Sequence, residues 1–274
     1  MRPLIKIHGG KYYLHSWIIS NFPKNYKDLE YCEPFCGGAS IFLNKEKSKT
    51  ETLSDVDVGI ISILKALRDE PKEFINSLKK KKYSERTFKI AYNKICNKEF
   101  DDYIDRATNE YIVRRMSRGG LKKSFSWSDR KRGGIPGDVN AWNTMIEQLP
   151  ICANKLQDIN IILSDFKDVI KNWDEENSFI YLDPPYLPDT RTSLDIYEHE
   201  LTLEDHIDLL NIANNSRGKV LFSGYLSPLY RRMLTLKVDR EGKKIWKCLK
   251  KDMPNHASQS KTKSRRIECL WKNY

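Results

Sequence analysis

The hydrophobic positions of this chain fall into two regimes. Short apolar runs, each ended by acids, glycines or prolines, occur at Leu29–Glu33, before Asp55, at Ile159–Leu163, at Phe179–Leu182 and at Lys219–Phe222. Runs of this length are too short for helices and predict buried strands. Between about residues 66 and 155 the pattern changes. Phe74, Leu78, Phe88, Ile90, Tyr92, Ile95, Tyr103, Ile104, Tyr111 and Ile112 recur among charged residues without strand alternation, which predicts several amphipathic helices packed on one another. A helix is expected from about Lys11 towards Asn21. Thr202-Leu203-Glu204-Asp205 has the spacing of a capping box and opens a helix that buries Leu203, Ile207 and Leu210. Lys244–Leu249 and Ile267–Trp271 predict a closing antiparallel pair, with Lys250–Arg266 as a polar basic loop between them. The expectation is an α/β sheet protein in three stretches: sheet over residues 1–66, a mainly helical insertion over 67–155, and sheet again over 156–274.

Composition narrows the partners. The chain has 274 residues, 39% of them hydrophobic, and a formal net charge of +11, a balance that suits a polyanion such as nucleic acid. No apolar run approaches a membrane span, and the first residues lack the apolar core of a signal peptide. The six cysteines form no CxxC pair. They predict a reduced, cytoplasmic protein without structural zinc.

The candidate chemistry lies where the strands end. Glu33-Pro34-Phe35-Cys36-Gly37-Gly38-Ala39-Ser40 reads as strand, tight small-residue loop and helix start, the opening of a nucleotide-binding unit. The loop lacks G-x-G-x-x-G, and the acid at its start suits a cationic ligand better than a pyrophosphate. Asp55 and Asp57 follow at the distance expected of a ribose-binding acid. Asp183-Pro184-Pro185-Tyr186 ends the Phe179–Leu182 strand, because prolines cannot continue a central strand. It offers a carboxylate, a carbonyl outside the ladder and a flat ring, a set that can hold a planar base by its exocyclic amine. Asp165-Phe166 ends the Ile159–Leu163 strand; it suits an adenine ring, or else simply caps the next helix. Gly9-Gly10-Lys11 allows close backbone approach, although most such tripeptides are plain turns. From Arg114 to Gly134, eight basic residues meet one acid among hydroxyls, aromatics and paired glycines. Arg114, Arg115, Arg118, Lys122, Lys123, Arg130 and Arg132 would meet phosphates, with Ser124, Ser126 and Trp127 for hydrogen bonding and stacking. Arg191, in the loop after Tyr186, would meet a phosphate or close over the site.

Together, Glu33–Ser40 and Asp183–Tyr186 resemble the Dam-type, D12-class (alpha group) DNA adenine-N6 methyltransferases. His8-Gly9-Gly10-Lys11, Ser164-Asp165-Phe166 and Ser223-Gly224-Tyr225 match further motifs of that family, so the resemblance covers nearly the whole chain. Ala39 stands where many relatives have glycine, and Gly38 is expected to supply the missing freedom. The resemblance implies a Rossmann-like S-adenosylmethionine-dependent methyltransferase sheet with an inserted, mainly helical target-recognition domain. It implies that His8, Gly9, Lys11, the Glu33–Ser40 loop, Asp55, Asp165, Phe166 and Asp183 hold S-adenosyl-L-methionine. Asp55 takes the ribose hydroxyls, and Asp165 with Phe166 the cofactor's adenine. It implies that Asp183, Pro184, Pro185 and Tyr186 hold an adenine extruded from double-stranded DNA, with no metal and no covalent enzyme intermediate. The enzyme would work in the cytoplasm, at a bacterial nucleoid or in a phage-infected cell, as a monomer or as a dimer on DNA. The rival readings are an N4-cytosine methyltransferase, in which Ser-Pro-Pro-Tyr is commoner, a non-catalytic DNA-binding module, and a methyltransferase acting on RNA or protein.

Overall fold

The apolar runs fold as strands. The computed structural model describes residues 1–128, 130–187, 199–254 and 265–274. In chain order its strands are β1 (Glu30–Glu33), β2 (Thr50–Asp55), β3 (Lys131–Arg132), β4 (Ile135–Pro136), β5 (Asn160–Leu163), β6 (Ser178–Leu182), β7 (Lys219–Tyr225), β8 (Lys247–Pro254) and β9 (Arg265–Lys272). The α-helices used below are α1 (His15–Ile19), α2 (Val58–Asp69), α3 (Pro71–Lys79), α4 (Glu85–Asn97), α5 (Tyr103–Met116), α6 (Gly137–Lys155), α7 (Phe166–Trp173) and α8 (Leu203–Asn215). A seven-stranded sheet has the order β5-β2-β1-β6-β7-β9-β8, and β3 with β4 forms a separate two-stranded ribbon. The chain divides into two compact units. The first holds Met1–Tyr13, Gly37–Asn44 and Asp57–Leu163; the second holds Leu14–Cys36, Lys45–Val56 and Ser164–Tyr274.

In the second unit β1, β2, β6 and β7 run parallel, with Glu33 beside Leu53, Cys32 beside Ile180 and Leu182 beside Phe222. β9 is antiparallel to both β7 and β8. Every residue of β6 is buried, as expected of a strand covered on both faces. Its core neighbours include Phe222, Leu209, Leu210 and Trp271. From β1 the chain passes to β2 on one side, and from β6 to β7 on the other. The order therefore reverses between β1 and β6, and ligands of open α/β sheets bind at the carboxyl ends of the strands at such a point.

Three local expectations change. The α8 capping box is present, but its buried stripe is His206, Leu209, Leu210 and Ala213, and Leu203 in the first turn is exposed. β8 runs on to Pro254, so Lys250-Lys251-Asp252 lies in a strand and not in a loop. As the last strand of the sheet β8 tolerates such charge, which also discourages pairing with another chain. The helix expected from Lys11 shrinks to a 3₁₀ turn at Tyr12–Leu14 and the single turn of α1.

In the first unit α5 is the central helix, buried from Ala107 to Met116. The ring of Tyr111 meets Phe74 of α3 at 5.9 Å and Trp142 of α6 at 5.7 Å. The β3–β4 ribbon turns at Gly133 (φ 59°) and Gly134 (φ 80°), two successive positive angles that match the tight turn of a hairpin.

Candidate active site

Asp183 leaves the end of β6 and is fixed from β7. Ser223 donates its hydroxyl to Asp183 Oδ1 at 2.8 Å, and Ser223 Oγ also lies 3.2 Å from the Tyr181 hydroxyl. Ser223 and Tyr181 are both buried, and Asp183 at the end of this chain is half-buried. Burial, reinforced by the Asp183 charge, holds the Tyr181 phenol well above its ordinary value, and it remains a hydrogen-bond donor.

Tyr186 follows the two prolines and lies outside any strand or helix. Its hydroxyl donates to Glu268 Oε1 of β9 at 2.6 Å, and its ring lies 4.3 Å from that of Tyr225 at an interplanar angle of 46°. The Arg266 guanidinium sits 5.3 Å from the Tyr225 ring on the same strand as Glu268. Burial, then the Glu268 and Asp183 charges, push the Tyr186 phenol well up. A cleft of about 640 Å³ opens beside this group, lined by Leu187, Tyr225, Leu226, Leu229, Arg266 and Ile267 among others. Glu268 escaped the sequence reading. Its signal was a lone acid inside the apolar run Ile267–Trp271.

The neighbouring strand ends bring further acids to the same edge. Glu33 at the end of β1 is buried and accepts the Tyr31 hydroxyl at 2.5 Å. The Cys36 amide donates to Ser54 of β2 at 2.9 Å, which ties the start of the small-residue loop to β2. The Ser164 amide donates to the Asp55 carbonyl at 3.2 Å, so Asp55 and Asp165 lie on consecutive segments of this edge. Asp165 caps α7, accepting from the Lys167 amide at 2.9 Å, while its side chain stays exposed. Capping and ligand contact are compatible, since a carboxylate has several acceptor sites. Phe166 is buried, with the Phe35 ring 5.3 Å away and tilted by 31°. Burial, then the charges of Asp55 and Glu33, hold the Cys36 thiol far up; burial with Glu33 does the same to Cys32.

The loop after Cys36 belongs to the first unit, and it corrects two expectations. No α-helix follows it; the next regular piece is a 3₁₀ turn at Phe42–Asn44. Gly37 and Ala39 both take positive φ, 48° and 50°, and two such residues so close together turn the chain instead of starting a helix. Ala39 therefore holds the left-handed conformation itself. Gly38 serves for space: a Cβ there would come 3.3 Å from the Ile5 side chain. Ser40 is half-buried, and its carbonyl accepts the Asn44 amide side chain at 2.8 Å. Lys11 is buried and donates to the Gly9 carbonyl at 3.2 Å, and His8 is half-buried.

The basic stretch divides by burial. Arg118, Lys123, Ser124, Trp127 and Arg130 are exposed, and Trp127 retains 49% of its accessible surface. Lys122 and Ser126 are half-buried, and Lys122 pairs with Glu110 at 3.7 Å. The exposed Trp127 is anchored: Tyr83 donates to the Ser126 carbonyl at 2.8 Å, and its ring lies 5.4 Å from Phe125 and 6.4 Å from Trp127. Arg114 and Arg115, expected to meet phosphates, are instead buried. They project from the buried face of α5, where Arg114 meets Asp57 and Arg115 donates to the Pro3 and Ala141 carbonyls at 3.4 and 3.3 Å. Asp57, expected near a ribose, instead caps α2 through the Gly59 and Ile60 amides. Arg132 lies in β3, and Arg191 lies outside the described residues.

Comparison with known proteins gives the family. The profile of the D12 class N6 adenine-specific DNA methyltransferases matches residues 8–238. A DNA adenine methylase of Vibrio cholerae serotype O1 is 28% identical over 241 residues, which is 85% of this chain and 84% of its own. The Type II methyltransferase M.CviBI of Paramecium bursaria Chlorella virus NC1A is 23% identical over 260 residues, 87% and 93% of the two chains. The Type II methyltransferase M.MjaIII of Methanocaldococcus jannaschii is 26% identical over 211 residues, 70% and 72% of the two chains. Among solved structures, an rRNA methylase from Streptococcus thermophilus aligns over all of this chain and 97% of its own, with 9% identity and a TM-score of 0.37. Among the described residues no helix is long and apolar enough to cross a membrane.

Proposed function

As this chain belongs to the D12 class of N6 adenine-specific DNA methyltransferases, its reaction is methyl transfer to N6 of adenine in DNA, and we propose here the residues that carry it. The observation that carries the reading is Asp183 at the end of a fully buried strand, held by Ser223 and followed by Tyr186. The substrate is an adenine swung out of double-stranded DNA, because a stacked base cannot present its amine to a donor. Tyr186 stacks on the base, while Asp183 and the Pro184 carbonyl accept the two N6 hydrogens. Two acceptors on one amine draw the nitrogen lone pair out of conjugation with the ring and leave it directed at the incoming carbon. The contribution of the protein is positioning, which well-oriented groups turn into large rate gains.

The methyl donor is of the S-adenosylmethionine type, and when bound it supplies a methyl carbon activated by a sulfonium. The residues at the sheet edge fit such a donor. Glu33, Asp55 and Asp165 are carboxylates at the ends of adjacent segments, a set suited to a ligand carrying an ammonium, two ribose hydroxyls and an adenine amine. By the family motif, Asp55 is assigned to the ribose and Asp165 with Phe166 to the adenine. Lys11 and its glycines are assigned to the methionine end, and His8 and the Gly37–Ser40 loop to the cofactor-holding set. Residues 67–155 form the target-recognition part, with Arg118, Lys123, Arg130 and Trp127 as its DNA-facing side chains.

The test is purified protein with methyl-tritiated S-adenosylmethionine and unmethylated genomic DNA, followed by digestion and separation of the nucleosides. Label in N6-methyladenine, lost in Asp183→Ala with cofactor binding retained, is the expected result. Label in N4-methylcytosine, or cofactor-independent DNA binding with no label, would overturn the reading.

A further inference from the structure

The motif tyrosine has a partner that its own segment does not supply. Two prolines precede Tyr186, and no backbone ladder holds it. A ring carried on such a segment can rock about its side-chain bonds, and rocking degrades a stacking surface. In this fold the far tip of the ring is tied down: the hydroxyl donates to Glu268 at 2.6 Å. Glu268 lies in β9 at the register position of Tyr225, whose ring lies 4.3 Å from that of Tyr186. One cross-strand pair thus grips the tyrosine twice, at its hydroxyl and against its ring.

Glu268 is an unusual occupant of that position. It is 4% exposed, and Cys269, Leu270 and Trp271 after it are fully buried. A carboxylate in such surroundings is retained only where strong hydrogen bonds compensate its burial. The bond it makes is a charge-assisted one, shorter and stiffer than a bond between neutral groups. The Tyr186 phenol is held protonated by burial first and by the Glu268 charge next, so the donor persists at every working pH.

We propose that Glu268 is the positioning residue for Tyr186, fixing the ring at the tilt on which the target adenine stacks. This rests on the role given to Tyr186 above. Glu268 touches neither substrate nor cofactor; it acts through the tyrosine, and its loss is felt in turnover more than in DNA affinity.

The experiment compares wild type, Glu268→Gln, Glu268→Ala and Tyr186→Phe for single-turnover methyl transfer to unmethylated genomic DNA, KM for DNA and thermal stability. Glu268→Ala should lower turnover by about 10- to 100-fold, the scale of a misplaced reacting group, with KM for DNA little changed. Glu268→Gln keeps an acceptor for the hydroxyl and should stay within about threefold of wild type. Glu268→Ala turning over like wild type, or Glu268→Gln falling as far as Glu268→Ala, overturns the proposal. Where Glu268→Ala fails to fold, Tyr186→Phe decides from the other end of the bond: a comparable fall supports the proposal, and wild-type turnover overturns it. A wild-type protein that leaves adenine unmethylated overturns the underlying reading; an active wild type with an unaffected Glu268→Ala overturns the positioning role alone.

Discussion

Arg114 of α5 donates from Nη2 to Asp57 Oδ2 at 2.6 Å, and both residues are buried. Asp57 also caps α2 through two amides, and Arg114 Nε faces Glu110 at 3.4 Å. Gly59 makes room for this group, because a Cβ there would meet the Glu110 carboxylate at 2.3 Å. Removing one partner of a buried pair leaves the other charge stranded. Asp57→Ala is therefore expected to destabilise the fold by about 3–5 kcal/mol, read from urea unfolding. Burial raises the Asp57 carboxyl, but Arg114, Lys122 and the Ile60 amide together outweigh it, so the net shift is downward. A carboxylate lowered in the folded state contributes its full stability above the unfolded value of about 4. That contribution is lost as pH falls through the lower folded value. The stability gap between wild type and Asp57→Asn should accordingly be constant above about pH 5 and narrow below about pH 4.

Ser223 connects Asp183 to the buried Tyr181, and its hydroxyl is the contact from β7 that orients the carboxylate. Ser223→Ala removes a small buried group without leaving a void larger than the lost oxygen. The expected outcome is a fall in turnover of about 10-fold, with cofactor binding by calorimetry unchanged. Asp183→Asn should fall much further, because the amide presents a donor where an acceptor is needed. A Ser223→Ala enzyme equal to wild type would show that the Ser223 hydroxyl does not orient Asp183.

The parts of this site that were legible in the sequence are those fixed by backbone chemistry. Asp183-Pro184-Pro185 ends a strand because prolines cannot extend one, and Asp165 begins a helix because its side chain caps one. Both follow from neighbours along the chain. Arg114 and Arg115 open a basic stretch that points to DNA contacts, but α5 is covered on nearly every side and turns them inward. Local composition carries no signal of that packing. Glu268 was missed for the same reason: it lies 82 residues from Tyr186 along the chain, and only the pairing of β7 with β9 gives it a role. Ala39 shows the reverse case, in which the fold imposes positive φ on a residue whose type argues against it.

Cys248 and Cys269 lie on neighbouring strands, with Lys250 directly opposite Cys269. Hydrogen bonding from Cys269 pulls the Cys248 thiol down to about 7, against burial and with help from Lys250, while the Cys269 thiol is pushed up. Cys248 should therefore be about half thiolate at neutral pH and label with iodoacetamide well before the buried Cys32, Cys36 and Cys269. The labelling rate should climb through pH 6–8 and level off above about pH 8. Peptide mass spectrometry after brief labelling checks both the site and the pH midpoint. Cys269→Ala should move that midpoint upward, towards the ordinary thiol value, because it removes the main cause of the shift.

The division of the basic stretch by burial separates affinity from stability. Lys123 and Arg130 are exposed cations beside the anchored Trp127, whereas Arg115 is buried against main-chain carbonyls. Each cation that neutralises a phosphate releases counterions, so its loss lowers the slope of log affinity against log salt by about 0.9. Lys123→Ala and Arg130→Ala should each reduce the slope by roughly this amount, with thermal stability unchanged. Trp127→Ala should weaken binding by about 1–3 kcal/mol without changing the slope, since stacking on a base releases no counterion. Arg115→Ala should do the opposite of the exposed lysine and arginine: an unaltered slope and a lower melting temperature, because it removes a buried side chain that donates to two main-chain carbonyls. Fluorescence anisotropy with a labelled duplex from 50 to 200 mM salt, the range over which such contacts separate, distinguishes the three behaviours. A salt slope that falls in Arg115→Ala and stays put in Lys123→Ala would place the DNA on a different face of this unit.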